Sequence, residues 1–334
     1  MSFGLSFWIS LLAVAGLVLV AYIGVGAAHL GYLFGVIIPY AAMIIFILGI
    51  VYRVLKWAAS PVPFRIPTTG GQEKTLPWIK RNKFDNPSGT LGVIGRMALE
   101  VLLFRSLFRN LRTELRGGPY LSYASAKWLW LAGIAFHYTF LVILVRHLRF
   151  FTEPVPFLIK GLEALDAFFQ VGAPLLYLTD VFFLIAVTYL FLRRVLIPQM
   201  RYISLPADYF PLFLIFGIGA TGVLMRYFFK VNIVGVKELT MGLINFSPKI
   251  PEGIGIIFYI HLFLVSILFT YFPFSKLMHM AGIFLSPTRN LANTNRVQRH
   301  INPWDYPVKV HTYEEYENEN REHLKESGIP VEKE

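Results

Sequence analysis

Six apolar runs of membrane-spanning length, at about 6–28, 35–57, 126–147, 171–192, 209–229 and 254–280, limit what this chain can fold into. In hydrocarbon every backbone N–H and C=O must be satisfied within the structure, which leaves helices as the spanning element for runs of about 20 residues. The 334 residues are 55% hydrophobic and 16% aromatic, too apolar for a soluble globule. The expected fold is an all-α polytopic membrane protein with about six transmembrane helices. It divides into an N-terminal two-helix hairpin (1–57), a basic loop with an amphipathic interfacial helix (58–125), a four-helix region (126–284) and a tail (285–334).

Lys and Arg placement gives the orientation. The stretch after the second run holds Arg65, Lys74, Lys80, Arg81, Lys83, Arg96, Arg105, Arg109, Arg112 and Arg116, whereas the loops around 148–170 and 230–253 hold scattered cations. Positive loops stay in the cytoplasm, so both termini are expected there, in a prokaryotic cytoplasmic membrane. Arg193, Arg194 and Arg201, and Arg289, Arg296 and Arg299, fall on the same side by alternation. The net charge of +11 is topogenic in this reading, and nucleic-acid binding is a poor explanation for charge so placed. No Lys or Arg precedes Arg53, so the first run lacks a signal peptide's basic leader and is expected to be a retained helix.

Four histidines lie within or at the ends of two of these runs: His137 and His147 in HYTFLVILVRH, and His261 and His279 between HLFLVSILF and PFSKLMHM. A lone intramembrane histidine is most often a packing residue, but four on two runs suggest axial ligands, for which neutral imidazole is well suited. Ten residues of ideal helix rise ~15 Å with an offset of ~80°, and eighteen rise ~27 Å back to the same face. On antiparallel helices His147 is level with His261 and His137 with His279. The first pair marks an outer haem and the second an inner one. The unequal spans demand tilt or unequal reach.

The chain contains no cysteine. Disulfides, cysteine-ligated iron–sulfur clusters and covalent c-type haem are thereby excluded within it, so any haem is of the b type. Asp180, expected ~10 Å down the fourth helix from its outer end, is read either as a proton acceptor for a quinol or as an interhelical hydrogen-bonding residue. Arg146 either pairs with a haem propionate or snorkels to the interface. Asp180 and Arg146 together make a candidate quinone site. His29 is read as interfacial. GVIGRMALEVLLFRSLFRNLRTELR has the periodicity of an amphipathic helix in the inner interface, acting as a lipid anchor, a docking shelf for a partner, or both. The acidic tail has disorder as its default, with NPWDYPVKV offering anchors for a partner.

The histidine spacings of ten and eighteen with the PFSKLMH ending resemble the gamma-subunit family of respiratory nitrate reductase over about residues 35–285. That family implies a five-helix cytochrome b with two haems, His147 and His261 ligating the outer one and His137 and His279 the inner one. The extra N-terminal helix and the basic loop depart from it. PVPFRIPTTGGQEKTLPWIKRNKFDNPSGTLGVIGRMALEVLLFRSLFRN resembles instead the DsrM family, the cytochrome b subunits of sulfite-reduction-associated DsrMKJOP complexes. The likeness implies menaquinone as redox partner, an iron–sulfur DsrK-like subunit related to the catalytic subunit of heterodisulfide reductase, the other DsrMKJOP subunits, and DsrC trisulfide as terminal acceptor. The chain is then an electron-transfer subunit of dissimilatory sulfur metabolism, with no catalytic residue of its own. Two alternatives are a proton or solute transporter using intramembrane His and Asp, which predicts no haem, and a structural anchor of a redox complex.

Overall fold

The computed structural model describes residues 3–60, 82–118, 120–292, 307 and 309–332. The chain opens with α1 (Phe3–Gly26), which carries no charge, and a π-helical turn at Leu33–Ile37 leads into α2 (Ile38–Ala58). Pro39 follows that turn inside the continuous segment Leu33–Ala58; the π-helical bond from the Ile38 N–H to the Leu33 carbonyl marks where the helix accommodates a proline that has no N–H to donate. Next come α3 (Thr90–Leu103), the single turn α4 (Arg105–Phe108) and an antiparallel hairpin of β1 (Leu111–Arg116) and β2 (Tyr120–Ser125). The bundle continues with α5 (Lys127–His147), α6 (Phe157–Asp166), α7 (Leu178–Leu196), α8 (Pro198–Ile203) and α9 (Pro206–Val223), which runs into a π-helical turn at Leu224–Phe228. α10 (Ile233–Ile244), α11 (Ile256–Tyr271), α12 (His279–Leu285), α13 (Pro287–Asn290) and α14 (Tyr313–Glu326) complete the described chain.

Among the described residues five segments are long and apolar enough to cross a membrane: Gly4–Gly26, Leu33–Ala58, Lys127–Phe150, Pro206–Phe228 and Ile256–Phe274. α7 has Asp180 in its first turn and Arg193 and Arg194 in its last, and packs between α5 and α9. The protein is an all-α polytopic membrane protein apart from the one hairpin. α11 is the central helix, packed on α1, α2 and α9. The core joins Val14 and Ala21 of α1, Phe34, Phe183 and Val187 of α7, Leu214 of α9, and Phe263, Leu264 and Leu268 of α11. Residues 82–126, α12 and α13 gather at one end of the bundle, the loop end. Residues 148–177 and 229–255 form the opposite, far end.

Sequence expectations change in the spans and in the long loop. The fourth helix starts at Leu178, not near 171, because Gln170 and Gly172 take positive φ and Pro174 lacks an N–H. Asp180 therefore lies in the first turn of α7, not well down a helix. The last apolar run is not one helix. α11 stops at Tyr271, Phe272–Phe274 forms a 3-10 turn around Pro273, and Ser275 is extended. Ser275 Oγ accepts from the Leu277 N–H at 3.1 Å and starts a new turn that delivers His279, so the eighteen residues from His261 to His279 are not a straight 27 Å rod. The expected amphipathic helix ends at Leu103, where Phe104 turns left-handed, and NLRTELR forms β1, turned by Gly117 and Gly118 at positive φ. Alternation of residues in LRTELR and YLSYAS satisfies a hairpin as well as a helix, and the paired glycines decide it.

The tail contains α14, held by a capping box in which Thr312 Oγ1 accepts from the Glu315 N–H and Glu315 Oε2 accepts from the Thr312 N–H. That reciprocal pair overcomes the disorder expected from composition. Arg289 ties the chain after α12 to the long loop, pairing with Glu100 at 3.0 Å and donating to Ser106 Oγ at 2.6 Å. Asp85 is held between Arg105 and Arg109, and the hydrogen bond from Arg105 keeps its carboxyl well below the usual carboxylate range. Arg65, Lys74, Lys80, Arg81, Arg296, Arg299 and most of NPWDYPVKV lie outside the described residues.

The break before His279 rests on a glycine. A Cβ on Gly49 of α2 would sit 2.6 Å from Pro273 Cβ, so only glycine lets α2 meet this turn. Gly49→Val is expected to destabilise the detergent-solubilised protein by about 1–3 kcal/mol through overpacking, read as a lower Tm.

Candidate functional site

The structure brings the four histidines together as two pairs, one toward each end of the bundle. At the loop end the His137 and His279 ring centroids are 6.0 Å apart with an interplanar angle of 83°. At the far end those of His147 and His261 are 6.4 Å apart and the planes differ by 12°. α5 packs on α7 and α11 on α9, so the helices that carry the facing rings are held by their neighbours. Between the two levels Phe136 and Phe140 of α5 stack with Phe183 of α7. Phe104, at the left-handed break after α3, stands edge-on to His137 at 4.9 Å.

Each ring has its Nδ1 committed. His137 Nδ1 bonds the Gly133 carbonyl at 2.7 Å, His147 Nδ1 the Ile143 carbonyl at 2.7 Å and His279 Nδ1 the Lys276 carbonyl at 2.9 Å. A carbonyl only accepts, so Nδ1 carries the hydrogen in these three and Nε2 keeps the lone pair. His261 Nδ1 lies 2.9 Å from Thr221 Oγ1, and that hydroxyl donates to the Gly217 carbonyl at 2.8 Å, which leaves its oxygen to accept from His261. The four rings thus present Nε2 with a fixed tautomer, the usual state of a metal-ligating imidazole.

This geometry fits an iron held between two imidazoles. Two metal–nitrogen bonds of about 2 Å, plus about 1.1 Å from each nitrogen to its ring centre, place coaxial ring centroids about 6.2 Å apart. Both pairs match that separation. Among the described residues no group of three or more His, Cys, Asp or Glu side chains is placed to hold a metal ion. Two protein ligands suffice when the equatorial donors come with the metal, as in haem.

Beside His147 lies a buried charge cluster. Arg146 Nη2 pairs with Asp180 Oδ1 at 2.7 Å, and its Nε lies 3.0 Å from Asp166 Oδ2, an ion pair without aligned hydrogen-bond geometry. Arg146 and Asp166 are each 6% exposed. Thr179 donates its N–H and hydroxyl to the two Asp166 oxygens, and the Tyr227 hydroxyl donates to Asp180 Oδ2 at 2.8 Å. Tyr177 is sandwiched between the guanidiniums of Arg146 and Arg226, 3.8 and 3.9 Å from its ring centre. Arg146 therefore does not snorkel to the interface: two carboxylates hold it inside. An apolar crevice of about 350 Å³ runs along α7 and α9, lined by Leu176, Asp180, Val181, Leu184, Val223, Tyr227 and Phe228. Asp180 borders this crevice and Arg146 stands behind it.

Residues 97–300 match the nitrate reductase gamma subunit family. The chain belongs to that family. It is also 47% identical over 283 residues to a Hdr-like menaquinol oxidoreductase cytochrome b-like subunit of Archaeoglobus fulgidus, covering 83% of this chain and 84% of the relative. The corresponding subunit of Archaeoglobus profundus is 43% identical over 275 residues, covering 80% and 81%. All four histidines, the Asp180 cluster and the break at Ser275 fall inside the family match, while α1 and α2 precede it.

For this gamma-family chain, sequence reasoning missed Thr221, which fixes the His261 ring, and Asp166, Tyr177, Tyr227 and Arg226, which complete the charge cluster. A threonine in an apolar helix carries no spacing signal. RYFF at a helix end reads as an interfacial aromatic belt. Deleting the arginine at the centre of the cluster strands the buried Asp166 carboxylate and the partly buried one of Asp180. Arg146→Ala is expected to cost about 3–5 kcal/mol. Denaturant unfolding in detergent checks this, and adding Asp180→Asn to that variant should restore part of the loss.

Proposed function

We propose that the chain is the membrane cytochrome b of a menaquinol oxidoreductase complex, with two b haems held by His147–His261 and His137–His279. The observation that carries this reading is the pair of facing imidazole sets, one per end, at the ring separation a bis-imidazole iron requires. The names of the two Archaeoglobus relatives support the menaquinol link and a multi-subunit assembly. When bound, such haems supply reversible one-electron storage at two depths of the membrane.

The chain's own residues bind, orient and exclude water. Nδ1 of each histidine is locked, so each Nε2 keeps its lone pair in one tautomer. Phe136, Phe140 and Phe183 keep the layer between the two levels apolar. The crevice between α7 and α9 is the proposed menaquinol site, its apolar walls suited to an isoprenoid quinol. Tyr227 and Asp180 at its edge form a hydrogen-bonded pair that takes up a quinol proton at Asp180 Oδ2. Arg146 holds the other carboxylate oxygen and sets the orientation of the group.

Orientation follows the cation distribution, with the loop end and both termini cytoplasmic and the far end external. The far-end haem is then the outer one and the loop-end haem the inner one. A cytoplasmic iron–sulfur subunit of the DsrK type docks at the loop end in this reading, within dissimilatory sulfur metabolism, and it supplies the cluster chemistry that a cysteine-free chain lacks.

A pyridine haemochrome assay on the purified chain is expected to give two b haems. His147→Ala or His261→Ala should remove one haem and His137→Ala or His279→Ala the other, with the double variant of a facing pair losing no more than either single. Loss of the same haem on substituting His137 and His147 would break the pairing. Asp180→Asn keeps the shape and removes the charge. It should slow haem reduction by a menaquinol analogue at unchanged haem content, and unaltered kinetics would leave Asp180 a packing residue.

A further inference from the structure

A b-type haem clamped at the far end brings two propionate carboxylates, and in hydrocarbon each needs a cation or a path to the interface. The cations at that end differ in what they already hold. Arg146 has Asp166 and Asp180, Arg149 has Glu163 at 2.9 Å, and Lys237 has Glu153. Lys160, Lys230 and Lys249 are exposed. Arg226 is different. Among the described residues no carboxylate pairs with it; its Nη2 donates to the Leu175 carbonyl at 2.9 Å and its buried Nε has no hydrogen-bond partner.

Its position suits the task. Thr221 and Gly222 of α9 lie against His261, the hydroxyl on Nδ1 and a Gly222 Cβ position 3.6 Å from Cε1. Arg226 follows Gly222 by four residues, one turn further toward the far end and on nearly the same side of the helix. That is the side from which a group seated on His261 would extend its charged edge toward the membrane boundary. Tyr177 fixes the guanidinium from one ring face, and Arg146 on the opposite face holds both aspartates, so of the cluster's two arginines Arg226 is the one whose guanidinium has no direct carboxylate contact among the described residues.

We infer that Arg226 is the propionate anchor of the haem held by His147 and His261. This rests on the di-haem reading above. Arg226 binds and positions the cofactor, and its positive charge favours the reduced, less positive haem.

The test is a redox titration of purified, haem-loaded protein in detergent, following each haem by its visible and EPR spectra. Arg226→Gln is expected to lower the far-end haem's midpoint enough to change its oxidised-to-reduced ratio at fixed potential at least tenfold, ~59 mV for one electron, with the loop-end haem unmoved. Arg226→Lys keeps the charge and should recover most of that shift. In uptake titrations of the haem-free protein, wild type should bind protohaem more tightly than Arg226→Gln, whereas protohaem dimethyl ester, which lacks free propionates, should bind the two equally. If Arg226→Gln takes up no far-end haem, equal uptake of the ester by both proteins is the expected result, and unequal uptake overturns the assignment. A midpoint equal to wild type, or an uptake difference that persists with the ester, also overturns it. A difference seen only in vesicles containing anionic phosphatidylglycerol would assign Arg226 to a lipid phosphate and overturn it likewise. A wild-type protein without far-end haem would instead be a failure of the di-haem reading.

Discussion

An imidazole is a dependable metal ligand only when its second nitrogen is fixed, and at membrane depth the fold must supply that fixation without water. The four rings solve this in different ways. His137 and His147 each bond a carbonyl four residues back on their own helix, so α5 by itself sets both ring orientations. His261 depends on Thr221 of the neighbouring α9, and His279 on the local turn that Ser275 starts. One side of the candidate centres is therefore rigid by local geometry, and the other is set by packing among α2, α9 and α11. This explains why Pro273 is buried against Gly49, and why α11 has the most thoroughly enclosed surface of the spans.

The far-end charge cluster follows from the same exclusion of water. A buried ion is costly unless paired and hydrogen-bonded, and the removal of one partner is worse than the absence of both. Arg146 comes from α5, Asp166 from the end of α6, Asp180 from the first turn of α7 and Tyr227 from the turn after α9. Their contacts pin four separate segments at one height beside His147. The cluster thus sets the level of α5 against α7 and α9 as well as lining a crevice, so a structural and a chemical role for Asp180 draw on the same bonds.

Much of the fold was legible in the sequence because it depends on hydropathy alone. Five of the six apolar runs contain span-length helices, four of them close to their expected bounds, and the family match agrees with the likeness carried by the histidine spacing and PFSKLMH. What was not legible depended on local backbone chemistry inside apolar text. Hydropathy does not register positive φ at Gln170 and Gly172, so the start of α7 was set too early and Asp180 too deep. Pro273, Ser275 and Lys276 interrupt the last run, and with the mismatch of ten against eighteen residues they mark the break that re-aims His279, a break that hydropathy alone passes over. The hairpin at 111–125 was lost to a helical periodicity that strand alternation also satisfies. The capping box of α14 is legible in TYEE, a local signal that runs against the acidic, apolar-poor composition of the tail.

The two histidine pairs are not equivalent. His147 and His261 are near parallel and enclosed by the charge cluster and the apolar residues of α9 and α11, whereas His137 and His279 are near perpendicular and exposed on the isolated chain. Within the proposed function this asymmetry has a direction. The enclosed pair lies beside the crevice that receives a lipid-soluble donor, where low dielectric strengthens every charge placed near it. The exposed pair lies at the end where Arg289, Glu100 and Ser106 fasten the C-terminal segment to the long loop, and where Phe104 covers one edge of His137. An electron leaving a membrane centre for a soluble cluster needs a short route more than it needs enclosure. The fold supplies that by ending α11 early and turning the chain at Ser275, which carries His279 to the surface end of the bundle instead of leaving it within a straight span.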